Sequence, residues 1–284
     1  MSVPKIKENK MQEVSNAGVQ NTQDKFTGSY WQWIKDELTG WEPFAWGLYG
    51  FGMGLNTMSF VSAPINFLSV VAYVAIAFGF LCTVAMAAKG WKKFTTPDGT
   101  VKEKLVTGRA INGWLGAVSV IGYIIVNVSA GHYWSVLDQL VFFFLIDLGL
   151  IINWRTWGRG EEGEKIKNPS IKQWIIIVLS ILIGWAILYP IGQFLNDTQP
   201  LTDALVLSIG ATASVLYVKR FTGTYVLWIA SNLVNVVLWF LALQDGYTSA
   251  ALPMLIMTML YMVSSVYGKI NFRSSNSGKV REIK

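Results

Sequence analysis

Two asparagines and three aromatic residues recur at helical spacing in the segment YVLWIASNLVNVVLW. At about 100° per residue, with Trp228 at zero, Asn232 lies at about 40° and Asn235 at about −20°. Tyr225 and Trp239 fall on the same stripe. A carboxamide donates and accepts hydrogen bonds, and an indole stacks on flat rings, so the stripe predicts a binding site for an uncharged ligand with a heteroaromatic ring. The competing interpretation is that the asparagines hold membrane helices together and that Trp239 lies at the membrane interface.

A second candidate segment is DQLVFFFLID, which places one amide and two carboxylates in an apolar run. Gln139 either presents its amide to a ligand or forms a hydrogen bond to a neighbouring helix. Asp138 is expected near the outer side, where it can hold a ligand hydroxyl group. Asp147 is expected near the cytoplasmic end, paired with a basic loop residue. Further along the chain, Trp185 and Tyr189 are about one helical turn apart and face either the ligand or lipid.

Several kinds of chemistry lack their residues in this chain. The sequence has no loop of the form GxxxxGK[ST], so the chain does not itself hydrolyse ATP. His132 is the one histidine and Cys82 the one cysteine, which leaves no metal cluster and no redox pair. Every lysine lies at or outside a predicted helix end, so a retinal-type Schiff base is not expected. The sequence therefore predicts no catalytic residue, no metal site and no cofactor, and we do not expect an enzyme.

The composition places the candidate residues in membrane helices. Of the 284 residues, 52% are hydrophobic and 14% are charged, with a mean hydropathy of +0.41, which is too apolar for a soluble surface. A helix that crosses the hydrocarbon core needs about 20 mostly apolar residues. The sequence therefore predicts an all-α polytopic membrane protein. Nearly uncharged runs predict eight transmembrane helices, at 43–61, 65–88, 110–129, 134–154, 172–194, 201–218, 222–243 and 247–268.

The 23 basic residues predict the orientation of these helices. All of them fall in the terminal segments 1–40 and 269–284 or in alternate connections, and the connections between those contain none. Short cytoplasmic loops carry the excess of lysine and arginine, so both termini are predicted to be cytoplasmic. Because the basic residues are spread over several loops, a nucleic acid partner is not expected, and the expected surroundings are membrane lipid.

The segments between the helices are predicted to be simple. The connections 89–109 and 155–171 are expected to be solvated loops. Residues 26–41 mix aromatic with charged side chains, so we expect an interfacial helix in the cytoplasmic N-terminal segment, with Trp33 and Trp41 as interface residues.

A weak internal repeat appears when residues 110–155 are laid over 224–269 at an offset of 114, which places Trp114 on Trp228. The loop charges give the two helix pairs the same orientation. A linker of one helix makes such halves parallel repeats, a plan found among transporters. The predicted order is an additional helix at 43–61, a three-helix repeat at 65–154, a linker helix at 172–194 and a second three-helix repeat at 201–268.

These motifs together resemble the PnuC family of bacterial vitamin transporters. In the second half, Asp203 opens a span, Lys219 and Arg220 close it, and the pattern YxxWxxxNxxN follows. In the first half, the segments GWLGAVSVIGYIIV, YWSVLDQLVFFF and INWRTW resemble the corresponding block of the family. The chain departs from the family at Tyr225, where a tryptophan is common, and by its additional helix at 43–61.

The resemblance implies a fold and a function. It implies a seven-helix core similar to SWEET transporters, a homotrimer, and residence in the bacterial inner membrane. It also implies transport of nicotinamide riboside for NAD biosynthesis, by facilitated diffusion with trapping by phosphorylation inside the cell. Two alternatives stay open. The ligand is another flat-ring vitamin, thiamine or riboflavin, or the chain is a membrane scaffold that transports nothing.

Overall fold

The computed structural model describes residues 28–62, 64–95, 100–155, 167–246, 248–275 and 280–282. Most of the predicted N-terminal segment and of the charged segment GRGEEGEKIKN lies outside them. Nine helices run through the described residues, and a wide, π-type turn interrupts the fifth at Phe143–Asp147. The helices are α1 (Tyr30–Leu38), α2 (Pro43–Val61), α3 (Phe67–Ala87), α4 (Asn112–Ala130), α5 (Tyr133–Ile152), α6 (Ile171–Phe194), α7 (Pro200–Val218), α8 (Gly223–Gln244) and α9 (Thr248–Ser275).

Local sequence signals account for several helix ends. Ser29, Asn66 and Ser170 begin α1, α3 and α6 with a capping box, in which the side chain accepts a hydrogen bond from a backbone N–H of the first turn. Gly131 ends α4 at φ 73°, in the left-handed region that glycine adopts without steric cost. Because α4 ends at this glycine, a turn of only two residues joins α4 to α5.

Seven helices, α3 to α9, are long and apolar enough to cross a membrane. The chain is a multi-pass helical membrane protein, as predicted. The first predicted span, 43–61, forms a helix over its predicted range, as α2, but it is not among these seven. Glycines and polar side chains such as Asn56, Thr57 and Ser59 lower its hydropathy. That α2 crosses the membrane stays a prediction.

Six of these helices form a closed ring. Around the ring, α3 packs on α4, α4 on α5, α5 on α7, α7 on α8, α8 on α9, and α9 on α3. Outside it, α6 packs on α7, and α2 packs on α3 and α9. Two consecutive three-helix units joined by a linking helix give this neighbour order. That the two units are repeats of the SWEET type stays a prediction.

A small sheet stands where a solvated loop was expected. Strands β1 (Lys89–Thr95) and β2 (Val101–Thr107) form an antiparallel hairpin, and β3 (Val280–Glu282) pairs with β2. The predicted loop at 89–109 is therefore corrected to a hairpin. Its strands are each seven residues long, which is an ordinary length for a β-strand.

Helix α1 is packed into the end of the ring at which α4 begins, which we call the α1 end. Trp33 is fully buried and Trp41 is 7% exposed, so neither is the interface residue that was expected. The indole N–H of Trp41 donates to the carbonyl oxygen of Glu37 at 2.6 Å. The Glu37 carboxylate accepts a hydrogen bond from the backbone N–H of Ala110, just before α4, also at 2.6 Å. Trp31, in contrast, is 78% exposed.

Candidate functional site

The ring encloses a cavity of about 160 Å³ to which all six of its helices contribute side chains. Among the described residues, neither α2 nor α6 contributes to its lining. Seven of the residues that the sequence singled out line this cavity: Tyr225, Trp228, Asn232, Asn235 and Trp239 on α8, and Asp138 and Gln139 on α5. Their roles toward a ligand stay predictions.

Trp228 forms the centre of an aromatic wall. Its ring centroid lies 5.3 Å from that of Tyr217, 5.2 Å from that of Tyr225 and 6.4 Å from that of Phe142. The Tyr225 hydroxyl donates to the carbonyl oxygen of Met86 at 3.0 Å, which joins α8 to α3. Tyr225 is therefore held in place, and Trp228 presents an indole that is only partly buried to the cavity.

The two asparagines of α8 use little of their hydrogen-bonding capacity. The amide nitrogen of Asn232 donates to the hydroxyl of Ser265 at 3.4 Å, and that of Asn235 to the carbonyl oxygen of Ser231 at 3.3 Å. Both distances are longer than is usual for such a hydrogen bond. For Gln139, the described part of the chain provides no hydrogen-bond partner to the side chain. These amides keep donors and acceptors for a ligand.

Asp138 is the one formally charged residue in the lining formed by the described residues. Its carboxylate lies against Gly210 of α7, where a Cβ atom would collide with it. The glycine therefore gives the carboxylate its space. The expected role of Asp138, holding a ligand hydroxyl on the outer side, stays a prediction.

In sequence, this chain is similar to known transporters. A sequence profile of the nicotinamide mononucleotide transporter family matches residues 105–274. This chain belongs to the PnuC family. It is 26% identical over 246 residues to the nicotinamide riboside transporter PnuC of Neisseria mucosa, with 84% of each chain covered. It is 19% identical over 245 residues to that of Haemophilus influenzae, with 84% of this chain and 94% of the relative covered.

The same family appears among solved structures. The crystal structure of the vitamin B3 transporter PnuC matches this chain with a TM-score of 0.68 and 28% identity. The match covers 88% of this chain and 99% of that one. The members of this family are transporters and not enzymes, so the expectation that the chain is not an enzyme is confirmed.

Within this PnuC-family fold, Trp185 lies away from the cavity. Its indole N–H donates to the carbonyl oxygen of Leu201 at 3.0 Å, and its ring packs beside Trp134 and Leu207. These contacts attach α6 to α7. The periodicity that made Trp185 a candidate gives no information on which neighbour the helix face meets.

Trp239 lies at the end of the cavity opposite α1, which we call the His132 end. It is 2% exposed, and its ring meets the imidazole of His132 edge-on at 5.2 Å. It is therefore buried against protein and is not an interface residue. Burial lowers the pKa of His132 to about 4, although the nearby carboxylate of Asp197 raises it.

Asp147 contradicts its predicted pairing. It is fully buried, and neither carboxylate oxygen has a hydrogen-bond partner among the described residues. The carboxylate faces Gly116 of α4, where a Cβ atom would collide with it. Because Gly113 and Gly116 allow α5 to come close, the wide turn that ends at Asp147 points its side chain toward α4.

Sequence reasoning missed a tyrosine pair that lines the cavity. The hydroxyls of Tyr123 on α4 and Tyr261 on α9 form a hydrogen bond with each other. Both approach Gly79 of α3, where a Cβ atom would lie 2.6 Å from each hydroxyl oxygen. The spacing of Gly116, Ser119, Tyr123 and Asn127 is a helical stripe of small and polar residues, and this was the signal available in the sequence.

At the His132 end, potential metal-ligand atoms of His132, Asp197 and Asp203 lie within 4.8 Å of one another. The carboxylates already accept hydrogen bonds at the start of α5. Asp197 accepts from the N–H of Tyr133 at 2.9 Å, and Asp203 accepts from the N–H of Trp134 at 2.8 Å. These are the bonds of helix capping, and they join the second half of the chain to α5.

Proposed function

We propose that this chain transports nicotinamide riboside across the membrane. The observation that carries the proposal is the cavity inside the ring, where Trp228, Asn232, Asn235 and Gln139 surround one space in a chain of the PnuC family. An indole suits a flat pyridine ring, and carboxamides suit the amide and hydroxyl groups of this vitamin. The two relatives described above are named as nicotinamide riboside transporters.

Transport in this proposal is facilitated diffusion, and phosphorylation inside the cell traps the vitamin for NAD biosynthesis. Ion-driven pumps need a chain of ionisable groups through the membrane. Among the described residues of the ring, the carboxylates within the spans are Asp138, Asp147 and Asp203, and Asp203 is engaged with Trp134 and Ser135. The spans thus offer few steps for a proton relay.

Uptake into proteoliposomes tests both parts. Labelled nicotinamide riboside should enter until its concentrations inside and outside are equal, with the voltage held at zero by valinomycin and equal potassium. An imposed proton or sodium gradient should then change nothing. Accumulation on such a gradient, without a kinase inside, would refute facilitated diffusion, whereas the absence of any uptake would refute transport of this vitamin.

Thermal unfolding of the protein in detergent distinguishes the alternative ligands. It is measured with nicotinamide riboside, thiamine and riboflavin in turn. A ligand that binds the folded state stabilises it by RT ln(1 + [L]/Kd). Stabilisation by nicotinamide riboside alone supports the proposal. Stabilisation by another vitamin replaces it, and no response to any of them favours the scaffold.

The proposal includes the surroundings of the protein. It places the chain in a bacterial inner membrane, as a trimer, with both termini in the cytoplasm and units 65–154 and 201–268 as the two halves of the transporter. Reporters fused after Lys284 or inserted at Asn21 should read cytoplasmic, and reporters inserted at His132 or Asp197 should read periplasmic. Native mass spectrometry of the purified protein should show three copies.

A further inference from the structure

Among the described residues, the cavity lining contains one acidic side chain and no basic partner for it. Among the described residues that line it, Asp138 is the one with a formal charge, and no lysine, arginine or histidine lines it. The described residues offer the Asp138 carboxylate no hydrogen-bond partner, and the surface it touches on α7 is Gly210, which has no side chain. A buried carboxylate is costly unless it is paired, so a cationic ligand would stabilise the ionised form of Asp138.

A second carboxylate lies behind the wall of the same cavity. Asp147 faces Gly116, which lines the cavity, and its oxygens have no hydrogen-bond partner in the described part of the chain. The two carboxylates are on one helix, α5. A cation bound in the cavity would favour the ionised form of each, because an opposite charge offsets the cost of burying a carboxylate.

Another part of the cavity wall is aromatic. Trp228 lines the cavity, with the rings of Tyr217, Tyr225 and Phe142 around it. The face of an indole attracts a cation within about 6 Å, through the negative face of its π-system. A flat cation in this cavity would share it with a carboxylate and an indole.

We infer that this cavity selects flat rings that carry a single positive charge, and that Asp138 is their counter-ion. The inference rests on the proposed function, because the pyridinium ring of nicotinamide riboside carries such a charge. It corrects the sequence-based expectation of an uncharged ligand. It also gives the site a basis for rejecting riboflavin, which is uncharged, and phosphorylated nucleotides, whose phosphate carries a charge of the same sign as the carboxylate.

A matched pair of ligands tests the inference without a variant. 1,4-Dihydronicotinamide riboside has nearly the shape of nicotinamide riboside but no ring charge. By calorimetry on the purified protein, the charged form should bind about 10- to 100-fold more tightly. In proteoliposomes, an inside-negative potassium diffusion potential should increase the accumulation of the charged form about 10-fold for each 60 mV and leave the uncharged form at equilibrium.

The variant Asp138→Asn tests whether Asp138 causes the preference for the charged ligand. It should weaken binding of the charged form about 10-fold or more, and leave binding of the dihydro form within about 3-fold. Asp138→Glu should keep the preference. The control is Asp245→Asn, because Asp245 is exposed in the turn after α8 and accepts a hydrogen bond from Gln199. That variant should keep both affinities.

The outcomes separate the two proposals. If the wild-type protein binds neither form, the proposed function fails. Equal binding of both forms by the wild-type protein leaves the proposed function standing and overturns charge selection. A folded Asp138→Asn protein that keeps the full preference overturns the role of Asp138. If that variant does not fold, the comparison of the two ligands on the wild-type protein still decides on charge selection.

Discussion

Helices α4 and α8 are the middle helices of the two halves, and each presents one stripe to the cavity. On α8 the stripe is bulky and rich in amides, with Trp228, Asn232 and Asn235. On α4 it begins with small residues, Gly116 and Ser119. Of these two middle helices, α8 therefore supplies an indole and amides, whereas the start of the α4 stripe supplies space. The two halves have a similar plan, but their middle helices differ in side-chain volume.

The internal repeat in the sequence did not reveal this difference. At an offset of 114 it pairs Trp114 with Trp228, but Trp114 is 42% exposed and does not line the cavity. An offset of 112 pairs Tyr123 with Asn235, and both line the cavity. Two residues turn a helix by about 200°, so the sequence match aligned opposite faces. Substitutions on α4 and α8 can test how much each helix contributes to ligand binding.

The largest effect is expected at Asn232. Asn232→Leu nearly preserves volume and removes an amide that the fold holds with one long hydrogen bond to Ser265. We expect nicotinamide riboside to bind about 5- to 150-fold more weakly, which is a loss of about 1 to 3 kcal/mol. The measurement is calorimetry on protein that elutes as a single species.

The matched control is Asn153→Leu. Asn153 is exposed after the end of α5, and its amide donates to the carbonyl oxygen of Gly149. This variant should bind like the wild type. Normal affinity in well-folded Asn232→Leu would contradict a binding role for this face of α8, and a poor folding yield with normal affinity would identify Asn232 as a helix contact.

Trp228 on α8 and Trp114 on α4 allow the most direct comparison of the two helices by substitution. Trp228→Ala should weaken binding about 3- to 30-fold because the stacking surface is lost, and Trp228→Phe should weaken it less. Trp114→Ala should leave the affinity unchanged, since the residue does not line the cavity. The same calorimetric titration measures all three. Equal losses at the two tryptophans would show that both helices contribute to binding.

The α8 stripe was predictable because amides are conspicuous in an apolar run. Their period of three to four residues places Asn232, Asn235 and Trp228 on one face, and the structure brings that face to the cavity. Tyr123 and Tyr261 were not predictable in the same way. Each is ordinary in its own helix, and the hydrogen bond between them exists only because α4 and α9 face the same space.

The errors have a common physical origin. The pairing of Asp147 and the surface position of Trp33 were inferred from distance along the chain to a predicted loop or interface. In the fold, Gly116 lets α5 approach α4, and the start of α4 accepts α1, so both side chains turn inward. Such packing depends on the volumes of residues that are distant in the sequence. A local sequence pattern gives no information about those volumes.

The next largest effect is expected at His132, on the pH dependence of stability. The ring of His132, which follows α4, contacts that of Trp239 on α8. Burial lowers the pKa of His132 to about 4, from an ordinary value of 6.5. The unfolded chain therefore takes up a proton between these values and the folded chain does not. Stability should fall as the pH drops from 6.5 toward 4, by about 1 kcal/mol per unit, and His132 should contribute nothing to pH dependence above that range.

His132→Gln removes this titration, so its thermal unfolding should depend less on pH between 6.5 and 5 than that of the wild type. Thermal unfolding in detergent at pH 7, 6 and 5 measures it. Gln also keeps a polar partner for Thr198, whose hydroxyl lies 3.1 Å from Nδ1 of His132. The same decline in both proteins would attribute the pH dependence to another group.

The smallest effect is expected at Trp185, which compares a tryptophan of the linking helix with Trp228. Trp185→Phe removes the hydrogen bond to the carbonyl oxygen of Leu201 and keeps most of the packing of α6 on α7. We expect a loss of about 1 kcal/mol in the free energy of unfolding, because one neutral hydrogen bond is lost. The affinity for nicotinamide riboside should not change, since the Trp185 ring lies outside the cavity. Weaker binding at full stability would instead mean that α6 reaches the ligand in another conformation, and the division between a binding helix and a linking helix would have to be abandoned.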